Sequence, residues 1–281
     1  MKPLDGFSRA NAARLIGVLV AMLVVAACWV GVSSAAAGEN PRTIKVGSRP
    51  GGVSSDGTHV WVTHELLEGT VSDIEASSGT VIATIPVGGH PAGVSSDGTH
   101  VWVTNQYEPN EYDGTVSEID ASSGTVIATI PVGRDPGAVS SDGTHVWVAN
   151  SEEGTVSEIE ASSGTVIATI PVGGHPAGVS SDGTHVWVTH DANGPEYEGT
   201  VSEIEASSGT VIATIPVGRD AGSVSSDGTH VWVTNWLEVP GTVSEIEASS
   251  GTVIDTIFVG GRPADVSSDG THVWVTNWLD G

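Results

Sequence analysis

Four histidines, His64, His90, His175 and His190, are the side chains best suited to hold a divalent ion, and together with carboxylates they could serve a metal-dependent lyase or hydrolase. A second set mixes aromatic rings with carboxylates. It comprises Tyr107, Glu111, Tyr112 and Asp113 in one stretch, Glu196, Tyr197 and Glu198 in another, and Trp236 and Trp278 further on, with Arg134 and Arg219 as the nearby cations. Rings of this kind attract cations and stack on sugars, and carboxylates neutralise a positive ligand. The chemistry of that set is therefore recognition. The chain has no Gly-x-Ser-x-Gly elbow, no phosphate-cradling loop, no His-Glu-x-x-His and no cysteine-based metal motif. No catalytic residue and no cofactor follow from such motifs.

What must position these residues is a repeat. Asp-Gly-Thr-His-Val-Trp-Val occurs six times, beginning at Asp56, Asp97, Asp142, Asp182, Asp227 and Asp269, at intervals of about 40 to 45 residues. That interval accommodates four short strands, the content of one propeller blade, and a blade cannot hide its apolar faces without neighbours. The expected fold is all-β: a propeller of four-stranded antiparallel blades over 43–281, six in number with the last incomplete, a seven-bladed parent being the other possibility. Repeats begin near residues 46, 87, 132, 172, 217 and 259. In the second copy, residues 91–96, 100–105, 115–120 and 125–132 read as the four strands. Asp97-Gly98 and Ala121-Ser122-Ser123-Gly124 form the turns between the first and last pairs.

Each strand has its own composition. The first carries Gly, Ala, Val and Ser, which suits the crowded innermost position beside a narrow channel; Asp265 is the exception. The second carries the Trp that should separate neighbouring blades. If Ser151 to Gly154 forms a turn, His145 lies opposite Glu160 and Trp147 opposite Glu158, so a ladder of His and Glu recurs and the six repeat histidines belong to the scaffold. The fourth strand is β-branched almost throughout, which favours a surface covered on both sides. The connectors after second and fourth strands fall on one face of the disk. That face alone varies, and it holds both candidate sets, with Asp191 opening the second long connector and Arg49, His90, Arg134, Asp135, His175, Arg219, Asp220 and Arg262 around the channel mouth.

Trp102-Val103-Thr104-Asn105, Trp232-Val233-Thr234-Asn235 and Trp274-Val275-Thr276-Asn277 resemble the YVTN-type β-propeller repeat, with Trp standing for its Tyr. Gly-Thr-Val-Ser-Glu-Ile and Thr-Ile-Pro-Val-Gly extend the resemblance. His64 and His190 replace the Asn, Ala149 replaces the Thr, and Glu118, Glu158, Glu203 and Glu245 stand where the family is usually apolar. The resemblance implies an exported or surface-associated binding and scaffold protein and carries over no catalytic residue.

The formal charge of -25 repels a phosphate backbone, so nucleic acid is not an expected partner. A protein, a glycan or a cationic ligand is compatible. Lys2, Arg9 and Arg14 followed by the apolar run from Leu15 to Val32 read as an export signal or anchor over 1–37. Three outcomes are open: cleavage after Ala37, lipid attachment at Cys28, or retention as a membrane tether. The expected location is accordingly secreted, periplasmic or at the cell surface. Thr43 to Gly47 matches the end of a fourth strand, and the sixth copy contains only two strands, which leaves an open blade edge through which a homodimer could form. The reading is thus a non-catalytic platform, with the metal-dependent lyase or hydrolase as the alternative.

Overall fold

The computed structural model describes residues 43–107, 114–191 and 198–278, and among these it contains strands and no helix. The first blade is β1 (Pro50–Ser55), β2 (His59–His64), β3 (Thr70–Glu75) and β4 (Thr80–Pro86); the second is β5 (Gly89–Ser96), β6 (His100–Tyr107), β7 (Thr115–Asp120) and β8 (Thr125–Pro131). The third is β9 (Pro136–Ser141), β10 (His145–Asn150), β11 (Thr155–Glu160) and β12 (Thr165–Pro171); the fourth is β13 (His175–Ser181), β14 (His185–Asp191), β15 (Glu198–Glu205) and β16 (Thr210–Arg219). The fifth is β17 (Ala221–Ser226), β18 (His230–Asn235), β19 (Gly241–Glu247) and β20 (Thr252–Gly260), and the sixth holds only β21 (Pro263–Ser268) and β22 (Val273–Asn277). Every sheet is an antiparallel meander in chain order, five of four strands and one of two. The turns obey the local chemistry: Gly98 adopts φ 88° after Asp97, and Gly124 adopts φ 63° at the end of the Ser-Ser-Gly turn.

Blades stack through their second strands. Trp61, Trp102, Trp147 and Trp187 are wholly buried, each against the valines and isoleucine of the next blade, as Trp102 is against Val139, Val146, Val148 and Ile159. Burying about 200 Å² of indole at about 25 cal/mol per Å² contributes at most about 5 kcal/mol per blade. In the first five Asp-Gly turns the aspartate adds a polar clamp that reading it as a turn did not anticipate. Asp97 Oδ1 accepts from the Thr99 and His100 amides and the Thr99 hydroxyl, and Oδ2 accepts from Trp102 Nε1 at 3.4 Å and from Ser141 Oγ of the next blade at 3.3 Å. Burial pushes this carboxyl up, but the donors together outweigh it and leave the group below its ordinary value.

The innermost strands require their small residues: a Cβ on Gly93 would fall 2.6 Å from the Gly137 carbonyl oxygen, and one on Gly52 equally close to that of Ala92. Thr63 and Thr104 donate across the same seams to Ala92 and Gly137. β1 packs on β5, β5 on β9, β9 on β13, β13 on β17 and β17 on β21. Among the described residues β21 and β1 are not packed together as these successive pairs are.

Two details differ from expectation. The fourth strand is covered on one face only: Ile82, Ile127, Ile167 and Ile212 are about half exposed, because this strand is the outermost and only its alternate residues, such as Ile85 and Ile130, reach the next blade. His145 is opposite Glu160 and Trp147 opposite Glu158, as read. The contact, however, runs diagonally, from His145 Nε2 to Glu158 Oε1 at 3.7 Å, while Glu160 Oε2 accepts from Ser163 Oγ. The glutamate leans toward the histidine because the tryptophan directly opposite offers it no partner on that side.

Candidate binding face

Strand-two exits and strand-one entries share one edge of every blade, and the chain fixes that edge with a strained residue. Arg49, His90, Asp135 and Asp220 all have positive φ, between 48° and 58°, immediately before the innermost strand or at its second residue. A non-glycine residue in this region costs about 1 to 2 kcal/mol. The conformation turns the carbonyls of Arg49, Asp135 and Asp220 toward the amides of Glu65, Ser151 and Trp236, which ties each strand-two exit to a strand-one entry.

Between the fourth, fifth and sixth blades this edge opens into a cavity of about 200 Å³ lined by Asp191, Asp220, Gly222, Trp236, Pro263 and Ala264. Burial pushes the Asp191 carboxyl up, the charge of Asp220 adds to that, and His175 opposes it. Asp135 is raised likewise by burial and by Glu152, again with His175 opposing, so the field of His175 reaches carboxylates of two blades. The Trp236 and Trp278 rings stand 5.5 Å apart at 40°, and the Arg262 guanidinium lies over Trp236 with Cζ 5.7 Å from the ring centre. Trp278 is 73% exposed.

The remaining candidates are spread out. Arg134 is in the third blade and approaches Glu153 at 3.4 Å and Glu152 at 3.8 Å. Arg219 ends β16 opposite Glu198, and its amide donates to Glu238 Oε1. Tyr107 ends β6 opposite Gly89. Glu111, Tyr112, Asp113, Glu196 and Tyr197 lie outside the described residues.

The four metal-ligand histidines are not brought together. His64 is buried in the first blade, with Nε2 2.8 Å from Ser72 Oγ and Nδ1 3.1 Å from the Ser48 carbonyl; His190 is buried in the fourth, with Nε2 2.8 Å from Ser202 Oγ. Both occupy the place of Asn105, Asn150 and Asn235, which donate to the equivalent serines, so they serve as cross-strand links. His90 and His175 lie in β5 and β13. Among the described residues no three His, Cys, Asp or Glu side chains are grouped to hold a metal ion. Trp236, Asp191 and Asp220 were visible in the sequence as residues of the variable face. Their common cavity with Pro263 and Ala264 was not, because it depends on how three successive repeats meet.

No protein-family model matches the chain, and no curated protein matches it. Solved structures do. Hydrazine synthase of Kuenenia stuttgartiensis superposes with a TM-score of 0.66 at 20% identity, over 83% of this chain and 74% of that one. The WD40 domain of Neurospora crassa Pan2 gives 0.65 at 13% identity, over 82% and 73%. The computationally designed Ika8 protein gives 0.63 at 12% identity, over 78% and 65%. Five four-stranded meanders, a sixth of two strands, and these neighbours define the chain as a β-propeller. At such identities the likeness extends to the fold alone.

Proposed function

We propose that this propeller is an exported, non-catalytic binding platform whose variable-connector face receives a cationic or amino-sugar partner. The observation that carries the reading is the cavity that places two carboxylates, Asp191 and Asp220, beside the Trp236 indole. An amine would be held by the carboxylates while its carbon skeleton packs on the ring, and Arg262 over Trp236 is an internal instance of the same attraction. The strongly acidic chain favours such a ligand at long range. Export is supported by Lys2, Arg9 and Arg14 ahead of the apolar Leu15 to Val32 run.

The test is calorimetric titration with a chitosan oligosaccharide, using its fully N-acetylated counterpart as the uncharged control. Binding of the amine form that falls at least tenfold in Trp236→Ala and in the Asp191→Asn, Asp220→Asn double variant supports the reading. Equal binding of both sugars, or variants that bind like the parent, would reject it.

A further inference from the structure

The residue ahead of the innermost strand carries opposite charges in the fifth and sixth blades. In the fifth it is Asp220, whose carbonyl accepts from the Trp236 amide at 3.0 Å; in the sixth it is Arg262, whose carbonyl accepts from the Trp278 amide at 2.8 Å. The same backbone tie thus fixes an acid in one blade and a base in the next. The cavity reaches from one to the other: Asp220 lines it, and so does Pro263, which directly follows Arg262.

The two side chains do not neutralise each other. Arg262 lies over Trp236, itself a wall residue, with Cζ 5.7 Å from the ring centre, and among the described residues it forms no ion pair with Asp220. Arg134, by contrast, is held by Glu152 and Glu153. Asp191 adds a second carboxylate from the fourth blade, close enough to Asp220 for the two charges to repel. The cavity therefore has two carboxylates on its fourth- and fifth-blade side, a guanidinium on its sixth-blade side and an indole in its wall.

Such a distribution discriminates between kinds of amine. A simple ammonium set against Asp191 and Asp220 gains their attraction but is repelled by Arg262 across the same small cavity. A ligand that also carries a carboxylate turns that repulsion into a second attraction, because guanidinium donates paired N–H bonds to carboxylate oxygens. Size narrows the choice further. A volume of about 200 Å³ lies below the about 300 to 1,000 Å³ of sites for drug-sized molecules, so the occupant is a compact molecule.

Building on the amine reading of Asp191 and Asp220, we propose that the cavity recognises a zwitterion of the amino-acid class, with its ammonium at these aspartates, its carboxylate on Arg262 and its hydrocarbon part against Trp236. Asp191 and Asp220 supply the attraction for the amine, and Arg262 selects among amines.

The experiment is calorimetric titration of the full chain with glycine, γ-aminobutyrate and ε-aminocaproate. Each is compared with its primary amide, which keeps the ammonium and loses the carboxylate, and with its N-acetyl form, which does the reverse. The zwitterion whose charges best span the cavity is expected to bind at least tenfold more tightly than either derivative. Arg262→Gln should bring that zwitterion to the level of its amide, and should bind the amide at least as tightly as the parent does because a repulsion is gone. The comparison on the unaltered chain stands whatever the variant does. Amides that match their zwitterions in every pair, or an Arg262→Gln chain that keeps the tenfold preference, would overturn the proposal. Chitosan and amides that bind while no zwitterion gains would overturn it and leave the amine reading standing; chitosan and amides that both fail to bind would remove that reading and this proposal with it.

Discussion

Truncating equivalent tryptophans in an inner and an outer blade measures how far the stacked-blade picture governs stability. Trp147 is wholly buried against Val179, Val186, Val188 and Ile204 of the fourth blade, and its Nε1 donates to Asp142 at 3.3 Å. Trp147→Ala removes about 200 Å² of buried apolar surface, at most about 5 kcal/mol at 25 cal/mol per Å², and a cavity that neighbouring sheets can only partly close keeps the loss near 3 to 5 kcal/mol. Trp274 has the same sequence context, yet among the described residues no blade packs beyond it and it is half-buried. Its truncation should cost about 1 to 2 kcal/mol. Urea unfolding followed by circular dichroism reports both, and m-values should be compared because arrays of repeats lose cooperativity when one interface is weakened. Equal losses at the two positions would refute the argument, since they would mean that indole burial between blades is not what separates inner from outer repeats.

Two further outcomes follow from particular seams. Ala149→Thr should stabilise the chain by about 1 kcal/mol, because threonine at this place in β2 and β6 donates to a carbonyl of the next blade, and a raised urea midpoint checks it. Asp73→Glu should gain up to about 1 kcal/mol: Asp73 is too short to meet His59, and a glutamate there recreates the 3.7 Å contact of the second to fifth blades. An unchanged midpoint would count against either contact.

How much of this was legible beforehand depended on whether a feature is local to one repeat. Strand order, the Asp-Gly turn and the His145 to Glu160 register are set within a single copy by turn length and alternation, so β7 begins and ends where its residues indicate. The exposure of Ile127 was not, because a β-branched run reads alike whether one face or two are covered; only the strand's place at the rim decides. The same holds for His64 and His190. A histidine in an asparagine position suggests a ligand until the serine two places along the facing strand is seen within 2.8 Å. The cavity depends on three repeats at once, and its aspartates become distinctive only when Trp236 and Pro263 from later copies close around them.

Acid titration separates the turn aspartates from the third-strand carboxyls, because in the first four blades their shifts have opposite signs. Asp227 is pushed up by burial but more strongly down by its donors, Thr229, His230 and Ser268, and comes to about 2 from an ordinary 3.8. A lowered folded value means that its stabilisation is present above the unfolded value and is lost as pH falls from about 3.8 toward about 2. Glu158 is raised, by burial first, with His145 opposing and Asp142 adding. A raised folded value works the other way: its contribution is intact below the ordinary 4.5 and declines as pH rises through the folded value, because the buried carboxyl must then ionise. Asp227→Asn should therefore destabilise at pH 7 and lose that penalty near pH 2, whereas Glu158→Gln should raise the urea midpoint at pH 7 and leave it unchanged near pH 4. Both variants keep volume and shape, so packing is nearly constant and the difference between pH values reports ionisation. A Glu158→Gln chain that is less stable than its parent at pH 7 would show that the 3.7 Å contact with His145 outweighs the burial of the carboxylate, and that the glutamates hold the blades together instead of straining them.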